Sequence, residues 1–228
     1  MTASRTALLG LVALLLVPAG ASAQEPSRFS GSFALLNTQP LGELSTGPGF
    51  GIALAGAYAL DRFHILRIRG EFRASIYDSE TRQICFSGTV GCRILLDLET
   101  NYGIMYGGIG PQIVIPIGPT ELALDGTLGW SAFTATSTLQ GVDDQDESFG
   151  QTNNYEDDTF AWSTGGEIRV PVARQVAIAL GAHYQHNGTV SYLREGGITD
   201  NPDGTLSFDP YRTEANLVAI TLGVDIRP

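Results

Sequence analysis

Residues 50–60 read Phe-Gly-Ile-Ala-Leu-Ala-Gly-Ala-Tyr-Ala-Leu. Phe50, Ile52, Leu54, Tyr58 and Leu60 are bulky and apolar, and Gly51, Ala53, Ala55, Ala57 and Ala59 between them are very small. A period of two is the signature of a strand with two unlike faces. The second face carries no long polar side chain, so it is not built for bulk water.

The same period recurs along the chain. Leu66, Ile68, Phe72 and Ile76 alternate with Arg67, Arg69, Glu71 and Arg73. Phe160, Trp162, Ile168 and Val170 alternate with Ser163, Gly165, Glu167 and Arg169. Val176, Ile178, Leu180 and Tyr184 oppose Ala177, Gly181, His183 and Gln185, and Val218 to Ile226 oppose Ala219 to Arg227 in the same way. Phe29, Phe33 and Leu35 mark a strand over 28–36, and Leu122, Leu124, Leu128 and Trp130 oppose Asp125, Thr127, Gly129 and Ser131. Over 94–115 the alternation runs through Tyr102, Ile104 and Tyr106 and loses phase after Gly107-Gly108, where a bulge or bend is predicted.

Eight strands result, with no helical period, repeat or second domain. Connections of 11, 16, 20 and 25 residues (37–47, 78–93, 139–158, 189–213) take turns with connections of 3, 4 and 2 (61–63, 116–119, 173–174). An up-and-down barrel collects the long ones at one end and the tight turns at the other. Within the last long connection, 189–193 and 205–208 keep strand character and predict a hairpin protruding beyond the membrane.

Composition decides which face is outside. The chain has 228 residues, 43 % of them apolar and 16 % charged, with 28 Gly. All 13 basic residues are Arg, and 24 acids bring the net charge to −11. A soluble barrel exterior rich in Lys and Glu is not available, and the acidic balance disfavours nucleic acid as a partner. Small and paired residues suit a crowded lumen. The continuous apolar face, with Tyr58, Tyr102, Tyr106, Trp130, Trp162 and Tyr184 along it, suits lipid with an aromatic girdle. The reading is an all-β, eight-stranded antiparallel up-and-down transmembrane β-barrel over residues 24–228.

The first 23 residues read as an export signal. Arg5 precedes the apolar run Ala7–Val17, and Ala21-Ser22-Ala23 fits a cleavage site. Removing them takes away one Arg and no acid, so 12 − 24 leaves −12. Export permits a disulfide between Cys85 and Cys92 across a short loop.

In architecture and pattern the chain resembles the small outer-membrane β-barrel proteins of Gram-negative bacteria, the OmpX- and OmpA-like eight-stranded class. The resemblance implies a bacterial outer-membrane location, contact with outer-membrane lipid, insertion by the barrel assembly machinery and external ligands met by the long loops. It departs at the C-terminus, where Ile226-Arg227-Pro228 replaces the usual terminal aromatic. A closed barrel with no free edge is expected as a monomer.

The inward face gathers Arg67, Arg69, Glu71, Arg73, Asp125, Glu167 and Arg169, with Arg28, Arg227, Asp225, Asp97, Glu99 and Glu121 toward the ends. Charges in a narrow lumen must pair. Arg67, Arg69 and Arg73 are therefore each expected to meet Glu71, Asp125 or Glu167. The leading reading is a plugged, ion-paired interior, and the alternative is a narrow passive channel. A lipid-modifying enzyme ranks third. His183 is expected in the lumen and His186 toward lipid, neither with a matching nucleophile, so no catalytic, cofactor or metal residue is assigned. Asp143, Asp144, Asp146, Glu147, Glu156, Asp157 and Asp158 lie in the third long loop without EF-hand spacing and read as a solvated acidic surface.

Overall fold

The computed structural model describes residues 27–44, 46–85, 95–141, 148–200 and 206–227. The barrel consists of β1 (Phe29–Leu41), β2 (Gly49–Ala59), β3 (Leu66–Cys85), β4 (Leu95–Ile117), β5 (Thr120–Gly141), β6 (Ser148–Pro171), β7 (Val176–Asn187) and β12 (Asn216–Ile226). Each is antiparallel to its neighbours, and β1 pairs with β12 to close the ring. Between β7 and β12, the short strands β8 (Thr189–Tyr192) and β11 (Tyr211–Glu214) pair with each other, as do β9 (Ile198–Asp200) and β10 (Leu206–Phe208).

The burial pattern is inverted relative to a soluble protein. Leu35, Leu128 and Trp130 are more than 60 % exposed, while Asp125 and Arg169 are 6 % and 1 % exposed. Only a bilayer makes such a surface favourable, because apolar exposure to water costs about 25 cal/mol per Å². On β5 the outward apolar positions run from Leu122 to Trp130, about the length that a tilted strand needs to span the hydrocarbon. Trp130 meets Phe160 edge to face with centroids 6.2 Å apart, and Trp162 lies 5.6 Å from Tyr184, forming an aromatic girdle at one rim.

The barrel is lopsided. Strands β3 to β6 are 20, 23, 22 and 24 residues long, against 11 to 13 for β1, β2, β7 and β12. One half therefore stands above the membrane as a tall wall. Much of the sequence read as the second and third long loops is this wall: 78–85, 139–141 and 148–158 are strand. At the opposite end, Asp61 accepts the N–H groups of Phe63 (3.0 Å) and Leu66 (2.8 Å) in the turn after β2. Any desolvation there is outweighed by these backbone hydrogen bonds, which hold its carboxyl below the ordinary value.

Three expectations are corrected. Tyr102, Ile104 and Tyr106 face the lumen, not lipid, at 0 %, 5 % and 1 % exposure. β4 carries no register shift at Gly107-Gly108, and the shift lies in β3 between Ile76 and Asp78. The alternation of β4 loses phase because its bulky residues change face: Tyr102, Ile104 and Tyr106 point inward, whereas Ile109, Ile113 and Ile115 point outward. Gly108 is needed beside Tyr106, since a Cβ there would lie 2.4 Å from the phenol oxygen. Finally, the connection between β7 and β12 forms the expected hairpin through β8 and β11, but it does not stand free: Val190, Tyr192, Leu193 and Ile198 are buried against the barrel interior. The export signal, the Cys85–Cys92 pairing and the acids Asp143, Asp144, Asp146 and Glu147 lie outside the described residues, whereas Glu156, Asp157 and Asp158 lie on β6.

Candidate functional site

The lumen is layered. In the layer nearest the tight turns, inward residues of β3, β5, β6 and β7 meet across the barrel. Arg69 donates to Glu167 at 2.9 Å and to Glu71 at 3.4 Å, and lies 3.9 Å from Asp125. Arg73 donates to both oxygens of Glu71 at 2.9 Å, to Ser163 at 3.1 Å and to Gln185 at 3.4 Å. Arg169 donates to Glu167 through Nε at 2.9 Å and lies 3.7 Å from Asp225. Thr127 donates to Glu71 at 2.8 Å and shares a 2.7 Å bond with Tyr106. With its carboxamide oxygen turned inward, Gln112 accepts from Arg69 at 3.1 Å and Arg169 at 3.2 Å. At the rim below, Arg227 binds Glu121 in a fork at 2.5 and 2.6 Å and Asp225 at 2.8 Å.

Arg67 departs from the expectation. It donates to the His64 carbonyl at 3.1 Å and to Ser30 at 3.3 Å rather than to a carboxylate. It sits at the strand end, where a turn carbonyl is within reach and the acids are not. Arg28 lies exposed at the start of the barrel, outside the layer.

The sequence makes room for this network in a specific way. Strands β1, β2 and β12 present Ser32, Ala34, Ala53, Ala55, Thr221 and Gly223 to the long guanidinium groups opposite. Gly165 seats the His183 ring: a Cβ there would lie 2.6 Å from the His183 backbone and 2.7 Å from its imidazole. His183 Nε2 then lies 3.3 Å from Asp125 Oδ1. Among the described residues, a cavity of about 20 Å³ lies beside this network, room for about one water.

Glu71, Asp125 and His183 bring potential ligand atoms within 4.8 Å of one another. They do not make a metal cradle. Arg69 and Arg73 already occupy the carboxylates, and among the described residues the buried charges comprise Arg67, Arg69, Arg73 and Arg169 against Glu71, Asp125, Glu167 and Asp225. Four against four is neutral, and a dication would leave two uncompensated charges in a region of low dielectric.

Above the ions lies a neutral polar layer. Gln185 donates to Ser131 at 3.0 Å and to Asn187 at 2.9 Å, Ser131 donates to Asn187 at 2.5 Å, and Asn187 donates to the Ala215 carbonyl. Above that is an apolar chamber walled by Leu36, Tyr77, Tyr102, Ile104, Phe133 and Leu217 and filled from the connection between β7 and β12 by Val190, Tyr192, Leu193 and Ile198. The ring of Tyr192 lies 6.1 Å from Phe133 and 6.4 Å from Tyr77.

This connection is fastened to the tall wall by polar ties. Tyr77 donates to the Leu193 carbonyl at 2.7 Å, and Arg82 to the Ile198 carbonyl at 2.6 Å. Asp78 accepts the Glu195 N–H at 3.3 Å, Glu80 the Gly196 N–H at 2.8 Å, and Asp157 the Ser191 N–H at 2.7 Å. The sequence reading missed this strap because its partners lie about 34 to 117 positions away. A faint signal was present in the inward spacing of Asp78, Glu80 and Arg82, which a solvated loop does not require.

No family model and no curated protein matches the chain. Among solved structures, Neisserial surface protein A aligns over 90 % of this chain and 100 % of its own, with a TM-score of 0.54 at 12 % identity. The attachment invasion locus protein Ail of Yersinia pestis aligns over 90 % and 100 % with a TM-score of 0.42 at 14 % identity. The outer membrane protease OmpT of Escherichia coli aligns over 91 % and 99 % with a TM-score of 0.41 at 10 % identity. At these identities the likeness is one of fold. The chain has the fold of the small eight-stranded outer-membrane barrels, and its apolar exterior is that of a membrane-spanning protein.

Proposed function

We propose that this chain is a non-enzymatic, closed barrel of the bacterial outer membrane that anchors and displays an ordered external structure, the tall wall of β3–β6 with its strap, for contact with an external ligand. The observation that carries this reading is the double closure of the lumen by a neutral ion layer and a strapped apolar layer. It favours a scaffold over a passive channel, because a channel would leave water beside the arginines and need not pair them. The histidines also support it. His183 is buried on Asp125 within the ion layer, and the His186 ring lies 5.4 Å from that of Trp162 on the outer face. The partners proposed are outer-membrane lipid, the barrel assembly machinery during insertion, and a ligand met at the external wall, with the barrel monomeric.

The test is electrical. Purified protein inserted in planar bilayers should give no steady conductance at neutral pH. Stable single-channel steps whose ion selectivity changes in Glu71→Gln would replace the scaffold with the channel. Mass spectrometry of lipid A from cells with and without the gene should show no difference; a changed acyl or phosphate pattern would make the protein an enzyme.

A further inference from the structure

The outer surface of the tall wall carries a groove of about 430 Å³ at the upper border of the lipid belt. Its floor is Gly103, which pairs with Ile76 on one side and Thr134 on the other. Below it stand Phe50, Ile52, Ile76 and Met105, all exposed, on the lipid-facing surface. Above it the lining turns polar without turning basic: Asn101, Thr134, Thr136, Thr138 and Gln151.

Two features point to an occupant. Thr134, Thr136 and Thr138 stand on one face of β5 at successive outward positions, forming a ladder of half-buried hydroxyls beside Asn101 and Gln151. Among the described residues the groove is flanked by Glu99, opposite Thr138 and accepting from Asn101 at 3.0 Å, and by Glu156, opposite Thr134. Among the described residues, no Lys or Arg lines the groove. Hydroxyls and amides suit a ligand rich in O–H groups, and the described lining offers no cation to hold a phosphate, sulfate or carboxylate headgroup.

We propose that this groove binds a single-tailed or acyl-bearing amphiphile of the external leaflet through an uncharged, polyhydroxylated headgroup. The chain lies along Phe50, Ile52, Ile76 and Met105, and the headgroup lies over Gly103 against the threonine ladder. A side chain at Gly103 would fill the space that the headgroup needs, since a Cβ there already lies 3.3 Å from the Ser75 carbonyl and 3.4 Å from the Thr134 hydroxyl.

The probe is dodecyl maltoside titrated into the whole barrel held in dodecylphosphocholine micelles, with backbone amide shifts as the readout. Saturable shifts should concentrate at Gly103 and Thr134–Thr138. Replacing the ladder with Thr134→Val, Thr136→Val and Thr138→Val keeps β-branching and removes the hydroxyls. It should weaken that binding by about tenfold, the loss of one or two net hydrogen bonds. Dodecyl sulfate, with the same tail and a negative head, should not saturate these amides. The proposal is overturned if the maltoside shifts spread evenly around the lipid belt, if the triple valine variant binds as the parent does, or if the sulfate competes equally. The spectrum of the variant itself reports whether the barrel is folded, and Asn101→Ala offers a milder second variant with the same expected direction.

Discussion

Glu71 is the residue whose removal the lumen tolerates least. It accepts from Arg73, Arg69 and Thr127 while buried. Glu71→Gln leaves two guanidinium groups short of their counter-charge, and losses of about 3–5 kcal/mol attend such changes in dry sites. Arg67→Gln should cost about 1–2 kcal/mol, because Arg67 bonds a carbonyl and a hydroxyl and leaves no carboxylate stranded. Urea titration of the lipid-inserted protein measures both, and equal losses would show that the network is not the principal tie. Gly165 offers a separate check. Gly165→Val drives a branched side chain into the His183 ring, so the His183 side-chain resonances should shift and stability should fall by about 1–3 kcal/mol. Much of this layer is legible in the sequence, because long charged residues on β3 and β6 face glycine and alanine on β2 and β7. The position of Arg67 is not, since which acid a guanidinium reaches depends on the stagger between strands.

At the scale of elements, the outward faces of β2, β7 and β12 could be read directly from the period of two, and that of β4 could not. Its bulky residues point to the lumen at Tyr102, Ile104 and Tyr106 and to lipid at Ile109, Ile113 and Ile115, so the alternating pattern changes face partway along the strand. The lipid-facing assignment of β12 makes its own prediction. Leu222 lies midway along the strand, opposite Leu35 and Leu180. Leu222→Arg should destabilise the inserted barrel by about 2–4 kcal/mol, while Asn37→Arg, near the external end of β1, should cost at most about 1 kcal/mol. If the two are equal in urea titrations, the depth assignment of the belt fails. The strap between β7 and β12 was legible only as a pair of short strands, since nothing local says that Leu193 and Ile198 turn back into the barrel. Its ties are testable one at a time. Tyr77→Phe removes the bond to Leu193, and Glu80→Ala frees the Gly196 N–H. Each should speed amide exchange over 190–198 severalfold while leaving Leu222 and Val224 protected, because strap opening is local and costs less than unfolding the barrel.

For the whole molecule, the two closures are built on different physics, and this separates their contributions to the seal. The strap closes the external mouth by apolar packing of Val190, Tyr192, Leu193 and Ile198 on the wall. The ion layer closes the lumen by charge pairing among side chains that all arise from barrel strands, so it needs nothing from the strap. Replacing residues 190–213 with a short turn should therefore expose Tyr102 and Phe133 to water and leave the barrel electrically silent in planar bilayers. Loosening the ion layer alone, by Glu71→Gln with Asp125→Asn, should also leave it silent, since the apolar layer above still excludes ions. Only the combination should give steady conductance, and with Arg69, Arg73 and Arg169 left in excess it should favour anions. Heat-dependent gel mobility shows whether each protein is folded before it is recorded. Conductance after strap removal alone would mean that the ion layer holds a continuous water path, and the lumen would then be a gated channel with the strap as its gate.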